Sequence, residues 1–463
     1  MDANTLSSFF QSSQTVFPAS APGRLDVMGG IADYSGSLVL QMPIKERTNA
    51  WAALRQDGMI RVCSQTIATV GHVSEAQYAL NDLAPHPDAI DYATVRTRLM
   101  QNQEAGWAAY VIGCVLVLMK EKQIPIPGVD ILLDSQVPIG KGVSSSAAIE
   151  VAVMRALAAA LNLCLGDVEL PVLAQRVENY IVGAPCGIMD QLASYLGREN
   201  RLLPILCQPH EVRDTVAIPS PLCFVGIDSG VRHAVSGASY GEVRTAAFMG
   251  YSIIAQAEGA SRESLTQVRK TGRFDSFPYQ GYLANIDPGL FKIRYASLLP
   301  DSMSGQDFLD RYGETIDTVT AIEPHKTYAI RDCTRHPVGE NARVTRFANL
   351  LQSLHTPTLI AADRKKAYIA LGELMVGSHE SYSACGLGCE ATDAIVRAVQ
   401  DAGPDQGVYG AKITGGGSGG TVCVLCEGET GIETAKTITQ THAQRFGIEP
   451  YLFQGSSEGA CWS

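Results

Sequence analysis

Pro138-Ile139-Gly140-Lys141-Gly142-Val143-Ser144-Ser145-Ser146-Ala147-Ala148 is read through its flanks. Ahead of it Val129 to Leu133 is a short apolar run that predicts a strand, and residues 136 to 143 form a Pro/Gly-rich loop. Behind it AAIEVAVMRALAAALNL is rich in alanine and leucine, with apolar positions at helical spacing. Ser144, Ser145 and Ser146 stand where helix N-caps are favoured. The unit is therefore strand, glycine loop, helix. Gly140 and Gly142 leave out side chains where backbone amides can close on an anion, and the helix start adds unpaired N–H groups and a positive dipole end. An ordinary tight turn has the same local form. The common phosphate loop is excluded, because Lys141 is followed by glycine rather than Ser or Thr. Three serines in a row turn the reading toward phosphate, since one hydroxyl at a helix start can ligate magnesium while its neighbours contact phosphate oxygens.

A second glycine-rich unit stands near the other end. Gly410 to Ile413 leads into TGGGSGG, six glycines fall within Gly410 to Gly420, and TVCVLC follows as a short strand. Between the two units EVRDTVAIPSPLCFVGIDSG, residues 211 to 230, sets prolines between extended runs. This divides the chain into lobes 1–215 and 216–463. A chain of 463 residues suits two large cores. Trp107 to Met119 is too short for a membrane span and reads as a buried helix. The N-terminal segment has neither the basic nor the apolar region of a signal peptide, so a cytoplasmic protein without a membrane partner is expected. Twelve cysteines are too dilute for a disulfide scaffold, and Cys423 and Cys426, three apart on a strand, face opposite sides. A net charge of −11 argues against a nucleic-acid partner, whose electrostatic footprint is basic. Residues 271 to 331 carry no chemistry that can be named.

The combined pattern resembles the GHMP kinase superfamily, whose second motif is similar to Pro138 to Ala148 and whose third is similar to ITGGGSGG at Ile413 to Gly420. APGRLDVMGGIADYSG from Ala21 to Gly36, WAAY, GAPCGIMDQ, SGVRH with the later Tyr240, TRHPVGENAR and LMVGSH resemble segments of the galactokinase branch. GGIADYSG, GKGVSSSAA and SYSACGLG are most similar to the kinase domain of plant-type L-arabinokinases, without the additional N-terminal domain of the plant enzymes. The resemblance implies an α+β, two-lobed fold with the active site between the lobes. It implies ATP, Mg2+ and a small sugar as the partners. Asp190 matches the catalytic aspartate that takes or polarises the proton of the anomeric hydroxyl, and Arg24 the arginine that steadies it and the transferring phosphoryl group. Ser146 and Glu178 match the magnesium ligands. Pro138, Gly140, Lys141, Gly142, Ser144, Ser145, Gly416 and Gly417 match the phosphate-binding positions, and Trp107 and Tyr110 the adenine platform. Gly30, Asp33, Gly187, Asp190 and Tyr240 match sugar-contacting positions, while His233 and His379 are read as structural.

Two positions depart from the branch. Where galactokinases read G-E-H-T-D-Y, this chain reads Gly29-Gly30-Ile31-Ala32-Asp33-Tyr34. The resemblance assigns that glutamate to the 6-hydroxyl of galactose, and L-arabinopyranose is the galactose ring without its hydroxymethyl group. Loss of the partner matches loss of the hydroxyl, which implies an L-arabinose kinase. Galactokinase is the first alternative, with a water admitted by Gly30 bonding the 6-hydroxyl. A non-catalytic galactokinase-like sugar sensor is the second.

Overall fold

Phe17–Met28 and Leu38–Leu54 pair antiparallel, from Phe17 opposite Ala52 to Met28 opposite Leu40, in a computed structural model that describes residues 3–68, 73–101, 105–232, 238–274 and 276–462. Between these two long strands the chain makes a short 3-10 turn, Gly30–Ser35, so the segment carrying Ile31 and Asp33 is held by the end of a ladder. Val129–Ser135 adds antiparallel to Leu38–Leu54, Met59–Ser64 lies parallel beside it, and Glu75–Ala79 closes that edge. Arg201–Leu206 pairs with the first residues of Leu38–Leu54. Helices Ala108–Lys122 and Ser145–Ala160 are buried in the core of this lobe. Every residue from Val111 to Met119 is buried, which explains a helix apolar on all sides.

The second sheet has the order Val408–Ile413, Thr421–Glu427, Leu222–Asp228, Leu452–Phe453, antiparallel throughout. Its central strand Thr421–Glu427 places Cys423 and Cys426 in separate apolar clusters, as alternation along a strand requires. Val216–Ala217 still pairs with Arg201–Leu206, and Leu222–Asp228 belongs to the second sheet, so the chain changes sheets across Ser220 and Pro221. The last residues return to the first lobe: the N–H groups of Gly459, Ala460 and Cys461 donate to the carbonyls of Gly197, Ser194 and Tyr195. Residues 271 to 331 fold into short helical turns, the helix Gly305–Tyr312 and a two-stranded ladder, packed on the helix Ala238–Ala257. Among the described residues no helix is long and apolar enough to cross a membrane.

Candidate active site

The loop before helix Ser145–Ala160 turns back through positive φ at Gly140 (76°) and Gly142 (72°), then at Ser144 (58°), a conformation that costs a residue with a Cβ. Ser144 occupies the N-cap position, yet its side chain makes no capping bond; its Oγ is buried with no partner among the described residues and borders a small cavity. The carbonyl of Gly142 accepts from Arg24 Nη1 (2.8 Å), which ties the loop to the first strand.

Arg24 also reaches Asp190, in the first turn of helix Met189–Leu196, through Nε (2.9 Å) and Nη2 (2.8 Å). Both contacts fall on Oδ1. Arg24 is buried, whereas the Asp190 side chain keeps 19% exposure toward the cavity. Asp33, Gly187, Tyr240 and Ile31 line the same cavity, of about 70 Å³, with Ser144, Ser145, Ser146, Glu178 and Gly416. Burial and the neighbouring Asp190 charge push the Asp33 carboxyl up to about 7. Gly187 is required there, because a Cβ would lie 1.7 Å from Asp33 Oδ2.

Glu178 sits in a π-helical stretch, Val177–Val182, that follows helix Glu169–Arg176. It is buried, bonds the Ser146 hydroxyl and accepts from Gln191 Nε2 (2.8 Å). Burial and the Asp190 charge raise it to about 7. A buried carboxylate crowded by acids, beside a hydroxyl on a helix start, is a donor set that suits a hard cation. Among the described residues no group of three or more acidic, His or Cys side chains could hold a metal alone, so oxygens from outside the protein would have to complete such a site.

Ser145, Ser146 and Gly140 also border a larger cavity of about 770 Å³, lined by Trp107, Tyr110, Ile139 and Arg96. The Trp107 indole N–H donates to the carbonyl of Val73 (2.8 Å), and burial with Glu178 and Glu150 nearby holds the Tyr110 hydroxyl well above its ordinary range. This volume falls within the range of small-molecule and cofactor sites.

Four of the residues read from the sequence lie elsewhere. Lys141 forms an ion pair with Asp228 of the second sheet, and neither it nor Pro138 lines either cavity. Gly417 packs against Leu387. Gly30 also stands behind the cavity wall rather than in it: a Cβ there would lie 1.3 Å from the Tyr382 hydroxyl, so no room exists for a side chain or a water. Tyr382, fully buried, accepts from the N–H of Ile31 (2.9 Å) and donates to the carbonyl of Gly415 (3.0 Å). His379 bonds Asp393 (3.0 Å) away from both cavities, and His233 lies outside the described residues.

Sequence reasoning missed the support of this wall. Asp26 and Lys412, both fully buried, pair at 2.5 Å, and Asp26 also accepts from Gly30 N–H (3.1 Å) and Gln41 Nε2 (2.8 Å). The available signal was a carboxylate between Leu25 and Val27 in RLDVM and a single lysine in the apolar strand YGAKI. Glu150 and Gln191 were missed as well; Gln191 Nε2 bridges the Glu150 (3.1 Å) and Glu178 carboxylates.

Three family profiles match in chain order: the galactokinase galactose-binding signature over residues 5–54, the GHMP kinases N terminal domain over 109–198, and the GHMP kinases C terminal over 359–441. An L-arabinokinase of Arabidopsis thaliana is 41% identical over 97% of this chain, which spans 46% of that protein's length. A galactokinase of Chloroflexus aggregans is 29% identical over 96% of this chain and 93% of its own. Among solved structures, Lactococcus lactis galactokinase complexed with galactose shares the fold with a TM-score of 0.72 at 20% identity, covering 99% of this chain and 97% of that one. A mevalonate kinase of L. major in complex with R-mevalonate shares it with a TM-score of 0.54 at 15% identity, covering 96% and 98%.

Proposed function

This chain belongs to the GHMP kinases, and from that premise we propose that it is an ATP-dependent sugar-1-kinase, with L-arabinose the favoured sugar. The observation that carries the reading is the Arg24–Asp190 pair on a small acid-lined cavity that shares Gly140, Ser145 and Ser146 with a neighbouring cavity of nucleotide size. The Asp190 carboxylate, held through Oδ1, accepts the proton of the anomeric hydroxyl as the sugar oxygen bonds the γ-phosphorus of ATP. The bond from that phosphorus to the β,γ-bridging oxygen breaks and ADP leaves. Arg24 and the amides of the loop 140–146 face the charge that spreads over the phosphoryl oxygens. Ser146 and Glu178 would hold magnesium, which when bound neutralises charge on the ATP phosphates. Asp33, buried beside Asp190, accepts from sugar hydroxyls. The cytoplasm as its compartment belongs to the same proposal.

Preference for L-arabinose over D-galactose is supported by what replaces a side chain at position 30. The Tyr382 hydroxyl fills that place and is committed to Ile31 and Gly415, so the cavity presents the aliphatic side chain of Ile31 there. A hydroxyl buried against it goes unpaired, which costs roughly 1 to 3 kcal/mol, or about tenfold to a hundredfold in preference. The test is ADP release over L-arabinose, D-galactose, D-fucose, galacturonate and galactosamine. L-Arabinose should give the highest kcat/KM; a clear preference for galactose leaves galactokinase as the reading, and no turnover with any sugar removes the kinase.

A further inference from the structure

Residues 271 to 331 have no counterpart in the chemistry described so far, yet part of this segment borders the larger cavity. Val319, Thr320, Ala321, Glu323, Lys326 and Tyr328 line it together with Trp107 and Tyr110 of the first lobe. We propose that residues 317–328 are the second wall of the nucleotide site, and that the Arg244–Asp317 pair is the positioning device that makes sugar and nucleotide binding favour each other. The proposal rests on the kinase reading above.

Asp317 organises the near end of this wall. Its carboxylate accepts from the backbone N–H of Val319 (3.1 Å) and Thr320 (3.2 Å) and from the Thr320 hydroxyl (2.6 Å), a turn of the kind aspartate forms with the residues that follow it. The same carboxylate takes Arg244 in a two-pronged contact, Nε to Oδ2 at 2.9 Å and Nη2 to Oδ1 at 2.8 Å, and both side chains are buried. Such a fork fixes orientation as well as distance.

The remaining Arg244 nitrogen, Nη1, donates to the carbonyls of Pro185 (3.0 Å) and Cys186 (3.3 Å). These two residues straddle the site: Ala184 and Pro185 line the larger cavity, Cys186 and Gly187 the smaller. The helix bearing Arg244 straddles it too, with Tyr240 on the smaller cavity and Gly241, Glu242 and Thr245 on the larger. Arg244 further lies over the Tyr34 ring (5.4 Å), next to Asp33. One guanidinium thus joins the nucleotide wall, the loop leading to Asp190 and the sugar segment. A sugar that orders Asp33 and Gly187 fixes the peptide that Arg244 grips, and through Asp317 the wall that meets the nucleotide. By linkage the effect is reciprocal.

The test is calorimetric binding of a non-hydrolysable ATP analogue to the full chain, with and without saturating L-arabinose, alongside steady-state kinetics. In the wild type, sugar should tighten the analogue at least about fivefold, the lower end of ordinary coupling energies. Asp317→Asn keeps one of the two acceptor oxygens of the turn and loses the charge that holds Arg244. It should raise KM for ATP about tenfold and bring the coupling ratio close to one, while kcat at saturation falls less than about threefold. A purely structural pair would instead lower thermal stability and leave the coupling ratio intact, and that result overturns the proposal. Should Asp317→Asn fail to fold, Arg244→Lys, which keeps the charge and loses the fork, and Thr320→Ala decide it by the same ratio. A wild type that turns over sugar but binds the analogue equally with and without it sinks the inference alone. A wild type that neither binds the analogue nor turns over sinks the kinase reading with it.

Discussion

The loop Pro138–Ser146 and the wall made by Ile31, Asp33, Gly187 and Tyr240 border one small cavity, and they are built by different means. The loop is local. Its shape comes from alternate residues with positive φ, it carries backbone amides and short hydroxyls, and one of these, Ser144 Oγ, has no partner among the described residues. The wall is assembled from segments far apart in sequence, and its glycines are there because other residues fill the space: Asp33 against Gly187, Tyr382 against Gly30. Behind it stands a buried ion pair, Asp26–Lys412, that joins the two lobes. Substitutions should therefore act differently in the two regions, graded on nucleotide binding in the loop and severe, or coupled to a distant residue, in the wall.

The largest effect is expected where the two regions meet. Asp190→Asn keeps size and the contact to Arg24 but cannot accept a proton as a carboxylate does. We expect kcat to fall by about a thousandfold or more, with binding of sugar and ATP largely kept. Single-turnover kinetics check this, and near-normal kcat would take Asp190 out of the chemistry.

Next comes Gly30→Ala, a single carbon placed 1.3 Å from the Tyr382 hydroxyl and 2.5 Å from the ring carbon that bears it. Overpacking of this degree costs roughly 3 kcal/mol or more. Tyr382→Leu added to it removes the contact with the ring, leaving only the 2.8 Å approach to Asp26 Oδ2 and the positive φ, so the double variant should unfold at a higher temperature than Gly30→Ala alone, even though Tyr382→Leu by itself frees the Ile31 N–H and destabilises. Additive losses would show that the two residues do not share this space.

This contrast also explains what could be read from the sequence. Strand, glycine loop and helix were legible because each follows from spacing within about thirty residues, and helix Ser145–Ala160 and strand Val129–Ser135 lie where the pattern put them. Arg24, Asp190, Glu178 and Ser146 were legible through motif resemblance, and the structure brings them to one cavity. Tyr382 was not, because nothing within SYSACGLG announces that its hydroxyl lies against residue 30, 352 positions earlier in a segment it meets only in the folded state. For the same reason Gly30 was read as a sugar contact when its space is taken. Lys141 was read as a phosphate ligand from its place in the loop, yet Asp228 of the other lobe claims it.

A smaller effect belongs to the wall and reports its charge. Asp33 is held up at about 7 from 3.8 by burial and by Asp190, so between these values the folded chain keeps a proton that the unfolded chain releases. Its contribution to stability is fully present below 3.8 and is lost as pH rises through about 7, with a slope of at most about 1.4 kcal/mol per pH unit. The unligated protein should thus unfold at a lower temperature at pH 8 than at pH 5, and Asp33→Asn should lessen that difference without abolishing it, since Glu178 is raised in the same direction. An unchanged pH dependence in the variant would assign it to other groups.

The smallest effect on folding is expected at Ser144, and it separates the two regions most cleanly. Its Oγ is buried without a partner among the described residues, so Ser144→Ala removes no bond to any of them and relieves an unpaired polar atom. The backbone strain at φ 58° is unchanged, because alanine carries a Cβ as serine does. Stability should stay within about 0.5 kcal/mol of wild type. If the hydroxyl is there for a phosphate oxygen, KM for ATP should rise about tenfold, the worth of one hydrogen bond to a charged group at its lower end. Ser144→Gly sharpens the result: it should lose the same affinity while gaining up to about 1 kcal/mol of stability, since glycine adopts this conformation freely. A loop that merely turned the chain would show the gain in stability without the loss in ATP affinity, and would leave the Ser144 hydroxyl with no part in holding the nucleotide.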